Sequence, residues 1–282
     1  MARRKLKTLK DYSRSLKNGY GVGEGAEYLP WLRVVDVPSK GKSSKPPGIK
    51  IPRTHQLLSK HELNFFLLAE FNPGVSDIRE QFPLLPLDLV IRLASEAGID
   101  YPHGRDSKDP CVLTTDFLLT LAMRRERSFL AVAVKTASDL LDPKVRSRLE
   151  LERLWWNSLE IPWRLVTDEQ LDKQIGRNLE WFSDPLRGRK GSAGEEPISD
   201  ELITDLCSHL EPGFFQWSGQ IDRLSQLLGL DGRFTSSLLK AAIWYRKVIV
   251  DLETPIQDQD LIHILKVVSP QHMDESDDAI AS

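Results

Sequence analysis

Apolar positions between residues 57 and 182 follow helix-like and strand-like periods in turn. Apolar side chains at helical spacing predict a helix from Leu57 to Phe71, which Ser59 can cap. Two runs that are apolar on both faces predict a hairpin within a sheet that is covered on both sides. The other predicted elements complete a mixed sheet of an α/β or α+β fold. The set is a strand over 77–86, a helix over 87–98, the hairpin strands over 114–122 and 129–135, a helix over 142–159 and a strand over 163–167.

The pattern changes after a segment with the composition of a flexible linker, residues 183–196. Helical periods over 198–210, 214–228 and 235–245 are followed by the β-branched run 248–250. Helices followed by a small strand element predict a helix-turn-helix or winged-helix module. The predicted organisation is therefore an arm over 1–18, a domain over 19–182, the linker, a mostly helical winged-helix-like domain over 197–270 and a tail over 271–282.

Composition narrows the protein class only a little. The 282 residues are 40% hydrophobic and 28% charged, as in an ordinary globular protein. The net charge of −3 argues against a uniformly basic surface, but residues 1–10 are basic and residues 273–278 are acidic. A basic arm contacts nucleic acid or an acidic partner, or is simply a solvated tail.

Cysteine usage and hydropathy predict a cytoplasmic protein in a reducing environment. Cys111 and Cys207 are the two cysteines, too few and too far apart for a disulfide framework or a cysteine-based zinc site. The basic start has no apolar segment behind it, and no stretch approaches the length of a membrane span. We therefore expect neither a secretory signal nor a membrane partner.

Three charged residues stand inside the apolar elements: Glu62 in the first helix, and Asp116 and Lys135 in the two hairpin strands. A hairpin that turns at residues 125–126 brings Asp116 approximately opposite Lys135. Two carboxylates could hold a metal ion that polarises a phosphodiester and activates a water, with Lys135 orienting the water or neutralising charge. The alternative is a structural Asp–Lys pair with a helix-capping Glu62, and spacing alone favours that alternative because structural ion pairs are common.

The order of an acid, an aspartate and a lysine resembles the restriction-endonuclease-like nuclease superfamily. More specifically, the chain resembles the TnsA family, the endonuclease subunits of heteromeric cut-and-paste transposases. The resemblance extends over most of residues 19–170, and its longest stretch is Asp77–Pro86. It implies a restriction-endonuclease-like mixed sheet flanked by helices, with Glu62, Asp116 and Lys135 as the catalytic residues.

The same resemblance implies a cofactor and partners. The cofactor is Mg²⁺, for which Mn²⁺ can substitute, and the DNA substrate is a double-stranded transposon end. The implied division of labour is that this subunit cuts the 5′ strand, the transposase TnsB cuts and joins the 3′ strand, and the AAA+ regulator TnsC links both to the target. The second domain is expected to dock the regulator rather than read bases, since residues 234–237 are poor base readers.

One position departs from the superfamily pattern. An acidic or amide residue is usual two positions before the lysine, and this chain has Ala133. We expect the Val134 carbonyl or Glu150 of the next helix to complete the metal shell with Glu62 and Asp116. Phosphate contacts are expected from a loop rich in Ser, Gly, Lys and Pro, at Lys40, Lys42, Lys45, Lys50 and Arg53.

Two rival functions remain compatible with the sequence. The first is a nuclease of the same fold that serves restriction or repair. The second is a DNA-binding assembly module that has lost activity through Ala133.

Overall fold

The computed structural model describes residues 3–37, 42–104, 107–122, 127–187 and 197–268. The chain divides into two compact units, Met1–Leu171 and Asp172–Ser282, which we call the first and the second unit. Within the described ranges, no helix combines the length and the apolar character needed to cross a membrane.

The first unit contains a four-stranded mixed sheet with helices around it. The sheet order is β1-β2-β3-β4, antiparallel between the first three strands and parallel between β3 and β4. This arrangement confirms the predicted mixed sheet. The elements are α1 (Leu9–Lys17), α2 (Lys60–Phe71), β1 (Val75–Pro83), α3 (Leu87–Glu96), β2 (Thr114–Leu121), β3 (Ser128–Lys135), α4 (Pro143–Ser158) and β4 (Trp163–Thr167), with 3-10 turns at Gly25–Glu27 and Asp139–Leu141.

Helices cover both faces of this sheet. Phe117 of β2 packs on Phe65 of α2, with ring centroids 5.0 Å apart. The next residue, Leu118, belongs to a buried cluster with Trp155 and Trp156 of α4. Because neighbouring residues of a strand point to opposite faces, α2 and α4 lie on opposite sides of the sheet. Burial on both faces explains why β2 and β3 are apolar throughout.

Strands β2 and β3 separate at one end. Their ladder runs from the pair Leu121–Ser128 to the pair Phe117–Val132. Beyond it, β2 stays paired with β1 as far as Thr114, while β3 stays paired with β4 as far as Lys135. The two strands therefore form a fork. The predicted turn at residues 125–126 lies outside the described residues.

Most of the predicted basic arm is part of the first unit. Thr8 caps α1, and Tyr12 is buried against Trp31 with ring centroids 6.0 Å apart. Arg4 makes an ion pair of 2.7 Å with Asp36, a buried aspartate. Residues 3–17 are thus fixed by packing and an ion pair, which argues against the solvated-tail alternative for this segment.

The second unit begins earlier than the predicted boundary at residue 183. Helix α5 (Lys173–Arg187) belongs to it and packs on α8 (Gly232–Trp244). This contact joins elements far apart in sequence, which linker composition could not indicate. Residues 188–196 of the predicted linker and the predicted tail lie outside the described residues.

The second unit otherwise combines helices with a small antiparallel sheet of order β5-β7-β6. Strand β5 occupies the start of a predicted helix, because residues 213–216 pair with β7. Tertiary pairing outweighs local helix propensity there. The winged-helix assignment stays a prediction. The elements after α5 are α6 (Asp200–Ser208), β5 (Gly213–Gln216), α7 (Trp217–Leu228), α8, β6 (Val248–Val250), α9 (Ile256–Gln259) and β7 (Leu261–Val267).

Candidate active site

Asp116 and Lys135 meet in the fork between β2 and β3. The Lys135 Nζ donates to Asp116 Oδ2 at 2.6 Å, and the Val134 backbone N–H donates to the same oxygen at 2.7 Å. The Asp116 carboxylate therefore accepts the Val134 N–H where the separation of the strands leaves no β2 backbone carbonyl to do so. Burial opposes the charge on Lys135, but nearby carboxylates, Asp116 first among them, outweigh burial and raise its pKa above the ordinary value. Lys135 is a protonated ammonium at neutral pH.

Glu62 joins this pair from the first turn of α2. Ser59 starts the helix by accepting the Glu62 N–H at 3.1 Å, and the Glu62 carboxylate accepts the Leu58 N–H at 2.9 Å. The Glu62 side chain is buried. Burial, and after it in size of effect the negative charge of Asp116, raise the pKa of Glu62 to about 7. Glu62 thus has the capping role of the structural alternative and also lies within electrostatic reach of Asp116 and Lys135.

A third carboxylate, Glu152, reaches the cluster from α4. It is buried and accepts the indole N–H of Trp163 at 3.0 Å. Burial has the largest effect on the pKa of Glu152 and the negative charge of Asp116 the next; together they raise it to about 7. The positive charge of Lys135 acts in the opposite direction. Sequence reasoning missed this residue as a site member. The signal was present, because Glu152 shares the apolar face of α4 with Leu149 and Trp156.

Glu150 does not face the cluster, which corrects its assignment as a metal ligand. Its carboxylate is about half exposed and pairs with Arg153 at 2.6 Å on the surface of α4. Residues two apart on a helix point in nearly opposite directions, so Glu152 faces inward while Glu150 faces out. The other expected ligand, the Val134 carbonyl, accepts a hydrogen bond from Lys135 Nζ at 3.0 Å and does lie in the cluster.

The donor set suits a hard divalent cation. The charges of Asp116, Glu152 and Glu62 all raise the pKa of the Lys135 ammonium, whose Nζ contacts Asp116 Oδ2 and the Val134 carbonyl. Mg²⁺ prefers oxygen ligands and is often held by one or two carboxylates together with water and phosphate oxygens. Among the described residues, no group of three or more His, Cys, Asp or Glu side chains is placed so that it could hold a metal ion by itself. Glu62 and Asp116 with the Val134 carbonyl could therefore hold such an ion only together with water or phosphate oxygens.

The expected phosphate-binding residues divide into two groups. The Arg53 side chain is only 7% exposed and forms an ion pair of 2.6 Å with Glu80. The Lys50 Nζ donates to the backbone carbonyls of Asn72 and Val75. Both side chains hold the fold together, which corrects their assignment as DNA contacts. Lys42 and Lys45 are exposed and stay predicted contacts, while Lys40 lies outside the described residues.

Comparison with known proteins identifies the family. A family model described as TnsA-like endonuclease N terminal matches residues 72–168, a range within the first unit that contains Asp116 and Lys135. The chain is also 39% identical over 194 residues to the transposon Tn7 transposition protein TnsA of Escherichia coli, in an alignment that covers 69% of the chain and 67% of that relative. The chain belongs to the TnsA family.

Membership of the TnsA family confirms the resemblance seen in the sequence and makes this protein a transposase endonuclease subunit. The TnsA-like match includes the fork and α4. It begins at residue 72, so Glu62 lies outside it. The roles of Glu62, Asp116 and Lys135 stay predictions, and the cluster described above gives them their geometry.

Proposed function

We propose that this TnsA-family protein is a Mg²⁺-dependent endonuclease that cuts the 5′ strand at transposon ends. In this proposal it works in the cytosol with the transposase TnsB, which processes the other strand, and with the AAA+ regulator TnsC. Glu62, Asp116 and Lys135 carry the cleavage. Mn²⁺ is expected to substitute for Mg²⁺, since both ions take carboxylate, carbonyl and water oxygens.

The observation that carries the proposal is the adjacency of Asp116 and Lys135 at 2.6 Å in a fork that Glu62 also reaches. Two carboxylates and an ammonium in one partly buried cluster are the groups needed to bind a cation and a phosphate together. Burial makes this charge cluster costly, and such clusters concentrate at functional sites.

Each residue has a distinct task in the proposed reaction. Asp116 and Glu62, with the Val134 carbonyl, would hold the divalent ion. When bound, that ion polarises the scissile phosphodiester and lowers the pKa of an attacking water. Lys135 stays charged because its acidic neighbours outweigh its burial, so its ammonium can stabilise the negative charge that develops on the phosphate. Asp116 fixes the direction of that ammonium through the Nζ–Oδ2 hydrogen bond.

The test uses a duplex with one transposon end, labelled on each strand in separate reactions. The full chain is incubated with TnsB and TnsC partners and Mg²⁺, and the cut on each strand is mapped. We expect a 5′-strand cut that requires both this chain and the divalent ion, with the 3′-strand cut persisting when this chain is omitted. A 5′-strand cut that persists without this chain would contradict the proposal.

The same assay distinguishes the two rival functions. Cleavage of duplexes that lack a transposon end, without partners, would indicate a restriction- or repair-type nuclease. Absence of cleavage together with retained binding of TnsB would indicate an assembly module.

We also propose that the second unit docks the regulator. The start of α8 carries Phe234 and Thr235 where a base-reading helix would need long polar side chains, and Thr235 is fully buried with its hydroxyl bonded to Ser225 at 3.0 Å. A pull-down of TnsC with the second unit deleted tests this proposal, because the truncated chain should lose the interaction.

A further inference from the structure

Gln81 has a left-handed backbone near the C-terminal end of β1, with a φ of 51°. A residue with a Cβ is strained in this region, and such strain persists where the surrounding structure enforces it, often at functional sites. Gln81 is also only 1% exposed, and its carbonyl accepts the Trp31 N–H at 3.2 Å. Packing therefore holds the strained conformation in place.

Gln81 and Asp116 lie across from one another on β1 and β2. They are the single residues left between two registered pairs, which are Glu80 with Phe117 and Phe82 with Thr115. Each strand contributes one residue to this gap. The strained residue of β1 therefore lies beside Asp116, the β2 residue at which the fork opens.

Strand β2 changes faces at Asp116. Phe117 packs on Phe65 of α2, whereas Thr115 accepts a hydrogen bond of 2.6 Å from the indole N–H of Trp156 of α4. In a regular strand, residues two apart share a face. The alternation is therefore broken between Phe117 and Thr115, at Asp116.

Strand β1 changes faces at Gln81 in the same way. Glu80 hydrogen-bonds to His55 at 2.9 Å on the α2 side of the sheet, where the His55 ring contacts α2. Phe82 packs instead on Trp156 of α4, with ring centroids 5.7 Å apart. The left-handed φ of Gln81 accounts for this break, because it reverses the local course of the backbone.

The Gln81 side chain uses both ends of its amide in the cluster. Its Nε2 donates to Glu62 Oε2 at 3.2 Å, and its Oε1 accepts the Thr114 hydroxyl at 3.1 Å. An amide has one donor end and one acceptor end, and here the NH₂ end faces Glu62 while the oxygen faces the Thr114 hydroxyl. Thr114 in turn fixes the other end and with it the orientation of the amide plane.

We propose that Gln81 is a positioning residue for strand cleavage, which holds the Glu62 carboxylate beside Asp116. This inference rests on the proposed function, whose site it deepens. It also addresses the departure at Ala133, because β1 brings to the cluster an amide that β3 lacks. Hydrogen bonds that orient a metal-binding carboxylate typically change metal affinity or activity by about 10–100-fold when they are removed.

The variant Gln81→Gly separates positioning from a purely structural role. Glycine adopts positive φ without strain, so the strand keeps its course while the amide is lost. We expect the cleavage rate at saturating transposon-end DNA to fall by about 10–100-fold, with the DNA concentration for half-maximal rate changed by less than about twofold. Mn²⁺ affinity, titrated by calorimetry on the full chain without DNA, should fall by about tenfold.

Two further variants complete the design. Thr114→Val removes the hydroxyl that holds the amide. It should lower the cleavage rate in the same direction, and it should have little additional effect in the Gln81→Gly background because the two residues act through one contact. Glu160→Gly is the matched control, since Glu160 has a similar φ of 56° in an exposed turn. This control should leave cleavage and Mn²⁺ affinity unchanged.

The outcomes discriminate between the inference and the function on which it rests. If Asp116→Asn is inactive while Gln81→Gly keeps a wild-type cleavage rate and Mn²⁺ affinity, the positioning role is refuted and the proposed site stands. If Asp116→Asn cleaves normally, the site itself is refuted and Gln81 loses its role with it. Should Gln81→Gly fail to fold, Gln81→Asn carries the test, because asparagine tolerates positive φ but is too short to bridge Glu62 and Thr114.

Discussion

Replacement of Asp116 by asparagine tests the candidate site with little change of shape. Asp116 Oδ2 accepts the Val134 N–H at 2.7 Å and the Lys135 Nζ at 2.6 Å. Asparagine keeps an oxygen that can accept the Val134 N–H, so no backbone donor is left unsatisfied in the fork. Alanine would leave both donors without this acceptor, so a loss of activity could not be separated from a loss of structure. Asp116→Asn removes the negative charge and replaces one carboxylate oxygen by an NH₂ group of similar size.

The stability change follows from two opposing terms. The lost charge-assisted hydrogen bond to Lys135 is worth roughly 1.5–3 kcal/mol. Against this loss, Asp116 raises the pKa of both Glu62 and Glu152, so its neutralisation relieves repulsion in the cluster. The net destabilisation should be about 1–2 kcal/mol, which lowers the Tm of a domain of this size by roughly 3–6 °C.

Cleavage should respond far more strongly than stability. A lost metal-binding carboxylate is expected to lower the rate of 5′-strand cleavage at least about 10³-fold, equivalent to about 4 kcal/mol in activation free energy. The assay is single-turnover cleavage of a labelled transposon end with TnsB and TnsC present, alongside a thermal unfolding curve. A folded Asp116→Asn protein that cuts within tenfold of the wild-type rate would refute the assignment. A Tm lowered by more than about 15 °C would instead indicate a mainly structural role.

Three other predictions follow from the geometry. Glu152→Gln should slow cleavage by about tenfold or more, since Glu152 faces the cluster. The matched variant Glu150→Gln should leave the rate unchanged, since Glu150 lies on the surface of α4. Equal rates in both variants would count against a role of Glu152 in the site. Burial raises the pKa of Glu80, but Arg53 and His55 outweigh burial and lower the pKa to about 2. The ionised Glu80 therefore stabilises the folded state above pH ~4.5. This contribution, about 3 kcal/mol in all, is lost as the pH falls towards 2. The difference in unfolding free energy between the wild type and Glu80→Gln should therefore shrink from pH 6 to pH 3, and a difference independent of pH would contradict this. A chain cut after the first unit should still show a cooperative unfolding transition, because that unit has its own buried core; a featureless melt would mean that it needs the second unit.

Sequence patterns located the elements of the first unit from α2 to β4, but not α1, because the patterns that define them are local. The apolar period of α2 and the cap at Ser59 both lie within a few residues, and the structure begins the helix at Lys60. Two apolar runs joined by a short connection predicted a hairpin, which brings Asp116 and Lys135 to the same end of the sheet. The observed register places Ala133 rather than Lys135 in line with Asp116, so the Asp116–Lys135 contact depends on the separation of β2 and β3 at the fork.

Contacts between distant segments were beyond the same patterns. Arg53 sits in a loop whose composition suggests phosphate binding, but its partner Glu80 lies on β1 and withdraws it from the surface. Helix α5 likewise has its partner, α8, beyond the predicted linker. Glu152 was detectable from its helical phase. The left-handed conformation of Gln81 was not, because glutamine has no preference for positive φ.

The break in strand alternation at Gln81 and Asp116 has a consequence for communication across the first unit. A β-sheet normally insulates the helical layer on one face from the layer on the other, since each side chain belongs to one face only. At this point Glu62 from the α2 layer and Glu152 from the α4 layer both act on Asp116. A change in the charge or position of either glutamate therefore alters the electrostatic environment of the same carboxylate, so both helical layers of the unit contribute to one site.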